Sequence, residues 1–456
     1  DPIAVTMVES GEDEAMLVAR TIQSEQRTND LTGDAFAILY RQNAQSRAFE
    51  EAFRRLRVPF RIVGGTGFYE RKEVKDILSY LRVTANPRSR QDFERIVNVP
   101  SRKIGATTIK RLRAAGEAEG LEGARMLEAS DEAMKAAGLG PAAIKKLRAV
   151  GALLSGFTGL SMRSSATEVA IEIIESTGYL NHLRQSDPSS ADDRIANVQE
   201  LVSSISEHEV AESLEDTPDE GPPKTPLQAF LDRAALSASE TSDEGQGVTL
   251  MTLHAAKGLE FPVVFMVGME EMTFPSRRAI DDIDPGTMEE ERRLCYVGMT
   301  RAMKRLYLSA ARYRRFYGQE EVRSPSRFLG ELPDKVVGNF PELSSARRWA
   351  RAAEALREEG ATAPTTDRGG DRIEYDEGET TTRRPKSARS ARSSQAEVAA
   401  TTDEITAGAF IDHNLFGRGL VKSAEGSGPK ARLTIEFPNH GIKKVIARFV
   451  KPASGS

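Results

Sequence analysis

Compact apolar runs alternate with polar turns and amphipathic stretches at both ends of the first 335 residues. Residues 3–8 read as a strand, and residues 35–40 (AFAILY) as a buried strand that stops at the polar turn Arg41-Gln42-Asn43. Beyond that turn Phe49, Ala52, Phe53 and Leu56 recur at helical spacing, so a strand, a turn and an amphipathic helix follow one another. Residues 58–63 predict a second strand, residues 64–67 (GGTG) a loop, and Val74, Ile77, Leu78 and Leu81 another helix face. From about Asn86 to residue 244 the pattern is alanine-rich and helical in period, and within it residues 207–220 carry seven acids without a lysine or arginine before Gly221-Pro222-Pro223. That stretch reads as a solvated loop. Strand character returns at 248–253 (VTLMTL) and 262–267 (PVVFMV), separated by a polar turn or short helix at 254–260 (HAAKGLE). A helix with an acidic start at 289–301 and a strand at 306–311 complete the series.

The pattern predicts an α/β fold in which one sheet domain is interrupted by a helical insertion. Its expected parts are the sheet domain at 1–85 and 245–335 and the insertion at 86–244, followed by a flexible linker at 336–407 rich in Arg, Ala, Thr, Ser and Glu. Residues 408–456 alternate most clearly at Leu433, Ile435 and Phe437 between glycine-marked turns, the pattern of a small barrel of short strands. There Phe410, Phe416, Phe437 and Phe449 are expected as barrel core. The chain opens at Asp1 and is strand-like by Ile3, which leads to the expectation that it is part of a longer polypeptide.

Charge changes the picture at the C-terminus. Lysine and arginine total 63 against 68 acids, a formal net charge of −5, with a mean hydropathy of −0.43. Residues 408–452 invert that balance with eight basic and three acidic residues, which suits a polyanion or an acidic protein surface as partner. The single cysteine, Cys295, excludes an intrachain disulfide framework, and five scattered histidines give no zinc-ligand spacing, so no metal site is expected. No apolar run approaches the roughly 20 residues of a membrane helix. A cytoplasmic, nucleoid-associated location is expected.

Phosphate chemistry is the most informative search. The sequence contains no G-x-x-x-x-G-K-[ST], and the apolar run ending Met269-Glu270-Glu271 imitates a magnesium-binding strand end only superficially. The chain therefore does not hold a nucleoside triphosphate in the P-loop manner by itself, but Arg41, at a strand end, and Arg301, late in a helix that leads into a strand, could touch one held elsewhere. Surface or salt-bridged arginines are the alternative at both positions.

Four strings carry a resemblance. Residues 38–47 (ILYRQNAQSR) resemble motif IV of the UvrD/PcrA/Rep group of superfamily 1 DNA helicases, and residues 64–71 (GGTGFYER) their motif IVa. Residues 252–262 (TLHAAKGLEFP) resemble motif V and residues 289–303 (EEERRLCYVGMTRAM) motif VI, all in family order. The resemblance implies a RecA-like domain 2A interrupted by domain 2B, then a Tudor-like module at 413–452. It implies that Tyr40 stacks on the adenine of ATP, that Glu260 bonds the ribose, and that Arg41 and Arg301 are catalytic arginine fingers at the γ-phosphate. Thr252, His254 and Lys257 would line the single-stranded DNA track, with Arg71 as a further contact. A core role for Tyr40, a satisfied turn for His254 and a solvated Lys257 stay open beside these roles. Residues 100–108 (PSRKIGATT) resemble the Gly-Ile-Gly turn with which 2B grips duplex DNA, here with Lys103 in place of the first glycine, and nominate Arg102, Lys103, Gly105 and Thr107.

The function implied is an ATP-dependent 3′ to 5′ DNA helicase acting in repair or replication, of which these residues supply the second motor domain. ATP with magnesium would be bound mainly by an N-terminal RecA-like domain that is not among them. The implied partners are single-stranded DNA, single-strand/duplex junctions, that N-terminal domain, and RNA polymerase through residues 408–456, with no membrane. A non-catalytic DNA- or polymerase-binding adaptor derived from such a helicase is the alternative, and a helicase-nuclease subunit is a weaker third. The isolated chain is expected to lack ATPase activity and to bind DNA weakly and in a salt-sensitive way.

Overall fold

A computed structural model describes residues 2–214, 225–239, 247–282 and 284–337 in one unit. In a second unit it describes residues 409–413, 417–425, 432–437, 441–446 and 450–452. The expected linker therefore lies almost wholly outside the described residues, as do residues 215–223 of the acidic stretch and the rings of Phe416, Phe437 and Phe449.

The first unit opens with β1 (Ala4–Ser10), α1 (Gly11–Asn29), β2 (Phe36–Tyr40), α2 (Ser46–Arg55), β3 (Phe60–Val63) and α3 (Lys72–Ala85). Helices α4 (Arg90–Ile96), α5 (Ala106–Ala118), α6 (Asp131–Ala136), α7 (Pro141–Ser161), α8 (Ala166–Thr177), α9 (Tyr179–Ser186), α10 (Ala191–Leu214) and α11 (Pro226–Ser239) follow without a strand among the described residues. The chain returns to the sheet through β4 (Val248–Thr252) and β5 (Phe261–Met266). It then runs through α12 (Arg277–Asp281), α13 (Pro285–Met299), β6 (Ala302–Phe316), β7 (Gln319–Val322) and α14 (Arg327–Gly330).

The sheet order is β1-β6-β5-β2-β4-β3, every neighbouring pair parallel, with β7 antiparallel to β6. Its central strands are apolar on both faces, as a sheet covered by helices on two sides requires: all five residues of β2 are buried. One core, containing Phe36, Phe49, Phe53 and Phe265, lies under α1 and α2; the other, containing Met251, Val264, Met266 and Leu308, lies under α13. Helix α1 starts at a capping box in which the Asp13 amide donates to Ser10 Oγ and the Ser10 amide to Asp13. Helix α13 starts on the Asp284 cap with Pro285 in its first turn.

Three expectations change. Helix α3, assigned to the sheet domain by a boundary at 85, packs on α4, α7, α8, α10 and α11, because its apolar face (Val74, Ile77, Leu78, Leu81) is buried among the insertion helices. Residues 207–214 are the end of α10 rather than loop. Strand β6 is 15 residues long and turns into the β7 hairpin, whose polar alternation of Arg, Tyr and Glu hides it from an apolar-run reading.

The second unit is an antiparallel five-stranded sheet in the order β11-β10-β9-β8-β12, made of β8 (Phe410–His413), β9 (Gly417–Glu425), β10 (Arg432–Phe437), β11 (Gly441–Ile446) and β12 (Val450–Pro452). Ile411, Val421, Leu433 and Ile435 are buried in it. Phe410 does not join them. Its ring is 53% exposed and carries the Arg418 guanidinium 5.2 Å from its centroid, so the core expectation fails there. No helix among the described residues is long and apolar enough to cross a membrane.

Candidate nucleotide and DNA surfaces

Parallel register separates the expected site residues into two groups. Tyr40 pairs with Thr252, and Leu39 with Met266, so Arg41, Thr252 and His254 stand at the carboxyl edge of the sheet. Phe261 pairs with Ala302 and its amide donates to the Arg301 carbonyl at 2.9 Å, so Glu260 and Arg301 stand at the amino edge. Five residue steps of β5, about 17 Å, lie between the two edges. Arg41 and Arg301 therefore start from opposite edges of the sheet.

Each residue at the carboxyl edge has a local cause. The Arg41 guanidinium is held by Glu291 of α13, with Nη2 2.7 Å and Nε 3.1 Å from Glu291 Oε1. Glu291 also accepts from the Ser276 hydroxyl at 3.0 Å and is 5% exposed. This fork-on-carboxylate pair holds the Arg41 guanidinium against α13 in this chain. Tyr40 lies in the core. Its side chain is 1% exposed in the core under α1 and α2, and burial pushes its phenol well above the usual range, so no face of the ring is open to a base.

His254 is exposed beside this pair, and its imidazole titrates below the ordinary range, first through partial burial and then through the Arg41 charge, with Glu291 opposing. Thr252 caps the turn that follows β4, its hydroxyl accepting from the Ala255 amide at 3.3 Å. Lys257 projects from the same turn and is exposed.

At the amino edge Glu260 is exposed. Arg301 is half-buried and donates to the carbonyls of Val297 (2.9 Å) and Leu259 (3.0 Å) and to the Thr300 hydroxyl (3.0 Å). It closes the C-terminal end of α13 and, among the described residues, has no carboxylate partner. Its position depends on Gly298, because a Cβ there would run into Leu253 and come within 3.0 Å of Met266. A side chain there would push aside the ends of Leu253 and Met266.

Arg71 is turned inward. Its guanidinium donates to the Asn43 carbonyl (2.9 Å), Asn197 Oδ1 (2.8 Å) and Ser46 Oγ (2.7 Å), and burial pulls its pKa down. It is buried and ties α10 to the turn before α2. Arg102 is also inward: Nη1 meets the carbonyls of Ile96 (3.0 Å) and Val99 (3.1 Å), and Nη2 meets the Tyr80 hydroxyl (2.6 Å). In this chain these bonds hold the turn. Lys103, Gly105 and Thr107 are exposed.

Lys103 takes φ +58, the left-handed backbone that glycine adopts freely, so the turn keeps its shape at a cost of about 1–2 kcal/mol. A second turn copies it. Lys103-Ile104-Gly105-Ala106 and Gly138-Leu139-Gly140-Pro141 each place a left-handed residue, a buried aliphatic and an extended glycine before a helix, α5 or α7. Lys146 of α7 reaches the Lys103 carbonyl at 3.5 Å, joining the two turns. The sequence carries this repeat as IGATTIKRLRA and LGPAAIKKLRA, a signal missed when only the first turn was considered. Glu291 was missed for another reason: its partner lies 250 positions away.

Comparison with known proteins agrees with this architecture. The model of the UvrD-like helicase C-terminal domain matches residues 1–135 and 158–313, and that of the PcrA/UvrD tudor domain matches residues 407–451. DNA helicase II of Escherichia coli is 35% identical over 453 residues, covering 99% of this chain and 56% of that protein. ATP-dependent DNA helicase PcrA of Bacillus subtilis is 35% identical over 445 residues, 96% of this chain and 54% of that protein. The chain thus spans little more than half the length of these relatives. With both modules matched in order around a parallel sheet, an inserted helical block and a small antiparallel sheet, the chain belongs to the UvrD/PcrA family of helicases.

Proposed function

We propose that this chain supplies the second motor domain, the 2B insertion and the Tudor-like module of an ATP-dependent 3′ to 5′ DNA helicase. One observation carries the reading: the segment from Leu253 to Glu260 runs from the carboxyl edge of the sheet to its amino edge in eight residues. His254 stands at its start, Lys257 midway and Glu260 at its end, with the Arg301 guanidinium bonded to the carbonyl of Leu259. A group that binds a DNA phosphate and a group that faces a nucleotide are thereby joined by one short lever.

In this reading ATP and its magnesium rest on a P-loop domain packed against the amino edge. Arg301 leaves its carbonyl partners to meet charge developing on the γ-phosphate, worth about 10³ to 10⁵ in turnover in studied systems. Glu260 accepts from a ribose hydroxyl. Movement at that edge is passed along residues 253–260 to Thr252, His254 and Lys257, which hold the single strand. Arg41 acts with the DNA-facing group by positioning the loop beside His254. Lys103, Gly105 and Thr107 meet duplex phosphates with the exposed amides of the turn, and the Gly138 turn repeats that contact one helix pair away.

The adaptor reading loses less than it did in the sequence, since Tyr40 is buried and Arg41 is paired with Glu291 in this chain, so the motor reading leans on Glu260 and Arg301. The two separate in one experiment. A P-loop domain from a relative, added in trans, is expected to yield ATP turnover that rises with single-stranded DNA. Continued absence of turnover, with the two parts shown to associate, supports the adaptor.

A further inference from the structure

Between the carboxyl edge of the sheet and α10 lies a cavity of about 670 Å³, and its two walls differ in charge. The α10 wall presents Asp192, Asp193, Glu200 and Glu207; the opposite wall presents arginines from α12, from β6 and from the residue after β7, set among Glu12, Asp281 and Glu320, with Arg315 Nη2 donating to Glu320 at 3.3 Å. Most of these charges are matched. Arg47 joins Glu200 and Glu207, and Arg314 lies between Glu14 and Glu270.

Two guanidinium nitrogens are not matched: Arg323 Nε and Arg315 Nη1 are buried without a hydrogen-bond partner. The Arg323 side chain is only 8% exposed. Its Nη1 meets the Met272 thioether at 3.2 Å, a weak acceptor, and its Nη2 meets Glu321 at 2.9 Å. Glu321 is shared, because Arg277 also approaches it at 3.8 Å. Burial, with Arg277 and Arg314 nearby, pulls the Arg323 pKa down, as expected of a cation short of counter-charge. Buried donors in folded proteins nearly always have a partner, so the orphans call for an acceptor, and arginine forks match the geometry of phosphate oxygens.

We propose that this wall is a phosphate subsite, with Arg277, Arg315 and Arg323 receiving a backbone phosphate of the DNA strand. The proposal rests on the reading of Thr252, His254 and Lys257 as a DNA track, because Arg41, which faces His254, lines the same cavity and makes the two continuous. A free phosphate would use the same donors, and the test distinguishes the two sources.

A fluorescent oligothymidylate is titrated against the unchanged chain and the Arg277→Gln, Arg315→Gln, Arg323→Gln and Lys257→Ala variants at several salt concentrations. Each arginine variant is expected to bind several-fold more weakly, with a slope of log affinity against log salt that is about 0.7 shallower per lost phosphate contact. Arg277 is 44% exposed, so its variant keeps the test alive should Arg323→Gln fail to fold. Unchanged affinity and slope in Arg277→Gln and Arg315→Gln, beside weakening in Lys257→Ala, overturn the subsite and leave the track standing. No binding by the unchanged chain, or no weakening in any variant, overturns both. Inorganic phosphate that displaces the oligonucleotide less well in Arg277→Gln supports the proposal, and phosphate that binds this wall without displacing it marks a free-anion site and overturns it.

Discussion

At the scale of single residues, position along a strand decides what a side chain can do. Arg41 and Arg301 have the same chemistry and follow or precede a strand by one residue, yet register puts one at each edge of the sheet. Glu291 holds Arg41 by a bidentate bond, while Arg301, among the described residues, has only carbonyl and hydroxyl partners. Removing Arg41 takes away a positive neighbour of His254, so Arg41→Ala is expected to raise the His254 pKa, read by NMR titration of the imidazole; a fall would contradict the placement. Gly298→Ala is expected to destabilise the first unit by about 1 kcal/mol, measured by denaturant unfolding, because the added methyl must push aside the ends of Leu253 and Met266.

At the scale of elements, the seam between α2 and α10 holds one cation against several acids. Arg47 contacts Glu51, Glu200 and Glu207 at 3.2, 2.6 and 2.7 Å. Arg47 keeps Glu51 ionised, whereas burial, opposed by Arg47 and reinforced by Glu12, pushes the Glu207 carboxyl up to about 7. A carboxyl whose pKa is higher folded than unfolded stabilises the fold below its unfolded value, near 4.5, and loses that contribution as pH rises through about 7. Glu207→Gln is therefore expected to flatten the fall in thermal stability between pH 4.5 and 7; an unchanged profile would show that Glu207 does not hold the proton. The apolar runs made β2, β4 and β5 legible from the sequence, since central strands of a parallel sheet are apolar on both faces. They left β7 and the Arg41–Glu291 pair unread, because a polar hairpin has no apolar run and an ion pair between distant positions has no local signature. Tyr40 closes the run AFAILY and belongs to the same core as the residues before it, the core role that the sequence left open beside the nucleotide one.

At the scale of the whole molecule, the two edges of one sheet give the chain two working surfaces, and residues 253–260 are the mechanical link between them. Family membership was legible in the motif strings, but the division of those motifs between edges was not, since sequence order does not reveal strand register. The central claim is that Arg301, and not Arg41, faces the nucleotide. It is tested most directly by DNA-stimulated ATP turnover at saturating single-stranded DNA, with this chain joined by a P-loop domain in trans. Arg301→Ala is expected to lower that turnover by about a thousandfold or more, while Arg41→Ala weakens DNA binding and leaves turnover at saturation within a few-fold of the unchanged chain. Equal losses of turnover in both variants, or a loss in Arg41→Ala alone, would contradict the account.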